Sequence, residues 1–225
     1  MAEMAVNLPE DLPRGETPRC PHFGECGGCA LQDVPYAAQV ATKEAALGAL
    51  LGREVHVVPS PEPYGYRHRM DYIVAFGKVG LRKRGDYRTV VDLRECHIVP
   101  PRVSGLLSEV REWVSELGIR GYNFVTNRGD LRYLTTRYAP SSGELMVVLV
   151  TASVETKVLP LAERLLERAE SVVWAVQGRH GNDSRGEVRR TWGAPVIRQT
   201  IRGRRFTIGP NTFFQNNLLL ADTLF

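Results

Sequence analysis

The sequence predicts an α+β fold, a mixed and largely antiparallel sheet with flanking helices. Three observations carry this. Residues 69–92 alternate apolar and polar side chains at a two-residue period, with glycines between the runs, as hairpins do. Two stretches, near 33–52 and 102–118, repeat apolar residues at helical spacing and end on glycine. The short apolar runs "LMVVLV" and "SVVWAV" then flank a third helical stretch. The chain has 225 residues, enough for one large domain or two modest ones. It shows no internal repeat and no low-complexity tract.

Taken in order, residues 1–19 read as a loose arm or an edge strand, and 20–32 as a cysteine loop. "DVPYAAQVATKEAALGALLG" predicts a helix capped by Asp33 and ended by Gly52. Its apolar face is Val34, Ala38, Ala41, Ala45 and Leu50. "VHVV" predicts a short strand. "YRHRMDYIVAF" and "GLRKRG" predict a hairpin punctuated by Gly77 and Gly80, and "RTVVDL" a third strand, with Cys96 just after it. "RVSGLLSEVREWVSELG" is an amphipathic helix, with Val103, Leu106, Leu107, Val110, Trp113, Val114 and Leu117 as its stripe and Gly118 as its stop. "YNFVTNRGDLRYLTTRYA" predicts a hairpin and "ELMVVLVTAS" a further strand. "KVLPLAERLLERAE" is a helix with Pro160 near its first turn. "SVVWAVQ" reads as a buried strand, "GRHGNDSRGE" as a loop, and "APVIRQTIRGRRFTIGP" as two strands around Arg202-Gly203. A last helix begins after Asn217. Its Leu218, Leu219, Leu220, Leu224 and Phe225 call for a partner surface.

Composition narrows the function classes. No apolar stretch approaches the roughly 20 residues that span a bilayer, and the first 19 residues lack a signal-peptide pattern. A cytoplasmic protein with no membrane contact is expected. Net charge is +4, and all but four of the 29 basic residues are Arg. Arg forks grip phosphate bidentately and stack on bases, which suits nucleic acid, although a GC-rich genome or a thermophile gives the same bias.

"CPHFGECGGC" sets Cys20, Cys26 and Cys29 close together, and Cys96 stands alone 67 positions after Cys29. In a reducing compartment clustered thiols bind metal more often than they pair. The three-plus-one spacing suits an iron–sulfur cubane better than the two C-x2-C pairs of a zinc ribbon. Gly24, Gly27 and Gly28 let the backbone fold tightly around a cluster, and Gly27-Gly28 would equally make a zinc knuckle.

Residues 64–88 hold Arg67, Arg69, Lys78, Arg82, Lys83, Arg84 and Arg88 against only Asp71 and Asp86. Tyr64, Tyr66, Tyr72, Phe76 and Tyr87 are interleaved. Cations neutralise phosphates and aromatics stack on unpaired bases, so this stretch is a candidate RNA-binding surface. A second basic run, Arg198, Arg202, Arg204 and Arg205, reads equally well as a charged hairpin.

Four segments, "CPHFGECGGCALQDVPYAAQVATKEAAL", "PYGYRHRMDYIV", "GLRKRGDYRTVVDLRECHIVPP" and "IGPNTFFQNN", occur in this order. Together they resemble the RNA uracil-5-methyltransferases, SAM-dependent enzymes that make 5-methyluridine in tRNA and 23S rRNA. The resemblance covers most of 18–225. It implies that Cys20, Cys26, Cys29 and Cys96 ligate a 4Fe-4S cluster. It also implies that Gln215 contacts S-adenosyl-L-methionine and that Phe213 or Phe214 lines the pocket of an extruded uracil. Without the resemblance the two phenylalanines are core and Gln215 is a helix-start residue.

The family's chemistry adds a Cys thiolate to uracil C6. C5 then attacks the methyl group of SAM, and a base removes the C5 proton. Such a step needs a fifth cysteine and a Gly-rich SAM loop, and neither stands in this sequence. The expected organisation is therefore an arm (1–19), an iron–sulfur loop (20–32), a central α+β RNA-binding domain (33–205) and the start of a truncated, Rossmann-like SAM-dependent methyltransferase domain (206–225). On that expectation the chain is inactive alone and partners a missing catalytic domain or subunit. The alternative is a non-catalytic, metal-stabilised RNA-binding module.

Overall fold

A computed structural model describes residues 11–126, 128–179 and 181–225. The expected arm lies partly outside them. The elements are helix α1 (Tyr36–Leu51), strands β1 (Arg69–Ala75), β2 (Lys78–Lys83) and β3 (Asp86–Asp92), helix α2 (Pro101–Glu116), strands β4 (Leu131–Ala139) and β5 (Glu144–Thr151), helix α3 (Leu159–Leu165), strands β6 (Ser171–Val176), β7 (Glu187–Gly193), β8 (Ile197–Ile201) and β9 (Arg204–Ile208), and a short helix α4 (Ala221–Leu224). Seven strands make one sheet in the order β3-β2-β1-β4-β5-β6-β7, and β8 with β9 is a separate hairpin. Only β5 and β6 run parallel, and α3 is their crossover. The mixed, largely antiparallel sheet expected from sequence is what forms.

The turns follow the local chemistry. Phe76 and Gly77, at φ of 54° and 73°, turn β1 into β2, and Arg202 and Gly203, at 46° and 74°, turn β8 into β9. Two successive positive φ values match the twist of a two-residue hairpin. Gly80 stands within β2 for a different reason. A Cβ there would lie 1.9 Å from the Val91 carbonyl oxygen on β3. Gly80→Ala must push β2 away from the edge strand β3, and a loss of about 3 kcal/mol is expected, read as a lower urea midpoint.

The sheet packs on both faces. On one, Leu107 and Val110 of α2 and Leu161 and Leu165 of α3 bury Tyr72, Val74, Leu134, Val147 and Leu149. The other face carries Ile73, Tyr133, Met146, Val148 and Val150, and Ile197 and Ile208 of the hairpin pack against it.

Several expectations need correction. "VHVV" forms no strand. It lies beside α1, with the Val57 amide donating to Glu44 Oε1 at 2.8 Å, and has no strand to pair with. Helix α1 starts at Tyr36 after Pro35, not after Asp33. Asp33 instead pairs with Arg14 at 2.7 Å and accepts the Gly15 and Glu16 amides. Ala41, Ala45 and Leu50 of its expected apolar face are exposed, and α1 has no buried residue. The first arm of the expected "YNFVTNRGD" hairpin makes only isolated bridges. Strand β7 was not expected. As an edge strand its side chains are mostly exposed, so it shows no alternation to read. The boundary expected at 205/206 falls inside β9. Residues 206–225, expected to begin a further domain, hold the end of that strand, a 3-10 turn and α4.

Candidate cysteine centre and nucleic-acid groove

The cysteine loop is stitched to the sheet edge. Gly27 N–H donates to Arg82 C=O and Arg84 N–H to Glu25 C=O, both at 2.8 Å, so the loop extends β2 by a short ladder. A Cβ on Gly27 would sit 3.0 Å from that Arg82 oxygen, and one on Gly28 would sit 3.4 Å from Cys26 Sγ. A side chain at Gly27 would crowd the β2 backbone, whereas one at Gly28 would meet the sulfur at ordinary contact distance. Cys20 is fixed by its N–H to Gln32 Oε1 at 3.1 Å, and Cys96 by its N–H to Ser104 Oγ of α2 at 2.9 Å.

All four cysteines are free thiols, and all four line one cavity. The sequence-distant Cys96 therefore joins the three clustered ones, as the spacing predicted. The arrangement differs from the expected metal site in one respect. Among the described residues, no group of three or more His, Cys, Asp or Glu side chains is set to hold a metal ion. The cavity measures about 10 Å³, room for roughly one water, so a cluster enters only as the sulfurs move apart.

The donor set nevertheless fits a thiolate-ligated group. Four thiols are the ligands such a cluster takes. Burial pushes the Cys96 thiol up to about 11, with Cys29 and Cys20 adding to the rise, and burial also raises Cys20 and Cys26. The ligand form is the thiolate, so a metal entering here displaces those protons. Two buried polar groups beside them, Gln32 Nε2 and the Tyr72 hydroxyl, have no hydrogen-bond partner. Tyr72 lies against Cys96. Donors left over around thiols match sulfur acceptors that carry negative charge. Tyr72 itself is fully buried, which removes it from the aromatics expected to meet RNA.

An open groove of about 790 Å³ lies next to this centre, on the sheet face opposite α2. Arg67, Arg82, Lys83 and Arg84 line it, four of the seven basic residues of the 64–88 stretch. Arg82 donates to Tyr87 C=O and to Asn182 Oδ1 at 2.9 Å, and stacks over Phe124 at 4.9 Å. Arg84 donates to Cys29 C=O and lies over Phe23, tying groove to cysteine loop. Arg69 of the same stretch is paired with Asp71 at 3.1 Å and bonded to Ser184 at 3.3 Å, so its charge is already answered. In the second basic run, Arg198 pairs with Glu144 at 2.8 Å. Arg202, Arg204 and Arg205 are exposed.

Sequence reasoning missed the other wall. Residues 177–186 bring Asn182 and Ser184 to the groove. Arg132 holds this loop. Its side chain has no exposure, and its guanidinium donates to Gln177 C=O, to Arg179 C=O at 2.8 Å and to Gly181 C=O at 2.7 Å. It also stacks over the Tyr122 ring at 4.4 Å. Its one legible signal was an arginine set inside the otherwise apolar start of "LRYLTTRYA".

The terminal motif folds back onto the same sheet. His68 N–H donates to Asn216 C=O at 2.8 Å, Leu218 N–H to His68 Nδ1 at 3.2 Å, and Arg137 to Thr212 C=O at 2.6 Å. Leu218 and Ala221 then pack with Ile201, so part of the greasy end does find a surface. Phe213 is 82% exposed, while Phe214 packs on Phe206 at 5.9 Å. Phe213 is thus the aromatic left open to a base. Gln215 is half-buried and lines none of the cavities above. One polar side chain is not a SAM site.

Comparison with known proteins finds relatives by sequence and by fold. No family model matches the chain. The tRNA (uracil(54)-C(5))-methyltransferase of Pyrococcus furiosus is 34% identical over 206 residues, 92% of this chain and 49% of that protein. The 23S rRNA (uracil(747)-C(5))-methyltransferase of Pyrococcus horikoshii is 31% identical, over 88% of this chain and 48% of that protein. The crystal structure of the Pyrococcus abyssi tRNA (uracil-54, C5)-methyltransferase in complex with S-adenosyl-L-homocysteine superposes with a TM-score of 0.79 at 30% identity, over 91% of this chain and 50% of that one. Sequence and fold together place the chain among relatives of SAM-dependent methyltransferases. More particularly, its homologues are the RNA uracil-C5-methyltransferases of tRNA and 23S rRNA. The chain spans about half the length of the relatives it matches. Among the described residues no helix is long and apolar enough to cross a membrane.

Proposed function

We propose that this chain supplies the RNA-gripping and cysteine-centre portion of an RNA uracil-C5-methyltransferase acting on tRNA or 23S rRNA. The observation that supports this most is the match to the S-adenosyl-L-homocysteine-bound tRNA enzyme over 91% of the chain. Arg67, Arg82, Lys83 and Arg84 neutralise RNA phosphates along the groove, and Phe213 offers a stacking face. Cys20, Cys26, Cys29 and Cys96 hold a 4Fe-4S cluster, which supplies a cross-link between the cysteine loop and the end of β3. Gln215 is the residue offered to SAM. With all four cysteines at that centre, these 225 residues leave no thiol to add to uracil C6. The chain alone then binds RNA without methylating it, and the nucleophile and SAM loop come from a further domain or subunit.

A second reading, a metal-stabilised RNA-binding module with no catalytic role, draws on that same shortage of thiols. The test is to purify the chain without oxygen, measure iron, acid-labile sulfide and zinc, and titrate it with a uridine-containing hairpin RNA over a salt series. Iron and sulfide near four each, with RNA affinity that falls steeply with salt, is the expected result. Zinc near one without sulfide moves the assignment to the second reading. Methyl transfer from SAM by the pure chain refutes inactivity alone.

A further inference from the structure

The groove holds one group that neither phosphate binding nor the fold explains. Tyr133 is 4% exposed and lines the groove floor, yet its hydroxyl has no hydrogen-bond partner. Its ring packs edge-on to Phe124 at 6.1 Å, so its position is set by packing and not by the hydroxyl. Leaving a buried hydroxyl unpaired costs about 1–3 kcal/mol, and a phenylalanine would fill the same place without that cost. Such an orphan at a ligand groove points to a partner that arrives with the ligand.

The surroundings say what kind of partner. Arg132, Arg82, Asp71 and Asp183 stand near this hydroxyl without bonding to it. Asp71 is occupied by Arg69 and by the Thr135 hydroxyl at 2.7 Å. Asn182 accepts from Arg82 through Oδ1, which leaves its amide N–H groups free to donate. Arg82 and Lys83 beside them suit a phosphate. A phenol that donates or accepts, an amide that donates and two flanking cations match the edge of one unpaired base with its phosphate.

We propose that the groove is a reading subsite for a single unpaired nucleotide of the RNA, its base edge on the Tyr133 hydroxyl and the Asn182 amide and its phosphate on Arg82 and Lys83. This deepens the RNA-binding reading above and rests on it. The hydroxyl is closed off from water before RNA arrives. Arg132 is fixed by its carbonyl bonds, whereas Arg82 is half-buried at the groove edge, and the subsite requires its guanidinium to turn onto the phosphate.

The experiment compares the full chain with its Tyr133→Phe and Lys83→Ala variants. The probes are a labelled hairpin RNA with a uridine-containing loop and a blunt duplex of the same composition, titrated over a salt series, with a thermal melt of each protein. Tyr133→Phe is expected to weaken hairpin binding roughly three- to tenfold with the salt slope unchanged, and to leave duplex binding alone. Its melting temperature stays level or rises, because no internal hydrogen bond is lost. Lys83→Ala is expected to lower the salt slope on both RNAs. Unchanged hairpin affinity in Tyr133→Phe, an equal loss on duplex, or a fall in its melting temperature overturns the subsite. A parent chain that binds neither RNA overturns the RNA reading itself, and the subsite with it.

Discussion

Cys96→Ser is expected to strip nearly all iron and sulfide from the anaerobically purified chain. Cys96 sits at the junction of the core and the cysteine loop, buried at 6% exposure in the cluster that includes Leu106, Leu107 and Val110 of α2. A serine there keeps the Ser104 contact, which is made by the backbone, and places a small polar hydroxyl beside the unpartnered Tyr72 hydroxyl. The α2–sheet core is therefore expected to fold. What is lost is the ligand that comes from the far side of the sheet edge, and three ligands from one short loop no longer cross-link anything. The loaded parent should show a higher urea midpoint than Cys96→Ser, and the metal-free parent should match the variant. Full iron content in Cys96→Ser would sink the four-cysteine assignment. A pH consequence follows for the metal-free chain. The Cys96 thiol is raised to about 11 in the folded state from an ordinary value near 9. Between those values the unfolded chain has lost its proton and the folded chain keeps it, so stability is intact below about pH 9 and falls as pH rises toward 11. Cys20 and Cys26, raised in the same direction, add to that fall. The loaded chain, whose sulfurs are already deprotonated by the metal, should not show it.

The difference between what was legible and what was not is a matter of range. The strands β1, β2 and β3 were legible because period-two alternation and paired positive-φ turns are local. Helix α2 was legible because its stripe faces one core. The joining of Cys96 to the cysteine loop was legible only through the spacing of a rare, chemically reactive residue. Helix α1 misled, because alanines at helical spacing say that a helix forms and little about which side is covered. The groove was half legible. A run of seven basic residues could be counted, but only the fold decides which cation is answered by a neighbouring carboxylate. Arg69 and Arg82 look alike in the sequence, and the structure separates them by one Asp71. The wall at Asn182 and Ser184 was invisible, since it is carried to the groove by an arginine on a strand some fifty residues earlier.

Arg132→Met is the sharpest test of that wall. The magnitudes pull in opposite directions. A buried guanidinium with no carboxylate partner among its contacts costs several kcal/mol to desolvate, and replacing buried ions by apolar groups often stabilises a protein. Against this stand three bonds from a charged donor to carbonyls, each worth about 1.5–3 kcal/mol, and a ring contact at 4.4 Å worth about 1–2 kcal/mol more. Methionine fills the space on Tyr122 but leaves the Gln177, Arg179 and Gly181 carbonyls to find water. Gly181, at φ of 128°, is in a conformation that other residues rarely adopt, so the loop has little backbone preference of its own to keep its course. The attractive side is the larger, and a net loss of about 2–3 kcal/mol is expected. The distinctive result is local. Amide exchange should rise in 177–179 and 181–186 well before it rises in β5 or β6, and hairpin RNA binding should weaken about tenfold as Asn182 and Ser184 leave the groove. Arg132→Lys should recover little of either, because an ammonium cannot fork to three carbonyls while lying flat on a ring. Unchanged exchange in 177–179 and 181–186 together with unchanged RNA affinity would show that the wall stands without its arginine, and that the buried charge is held for the core alone.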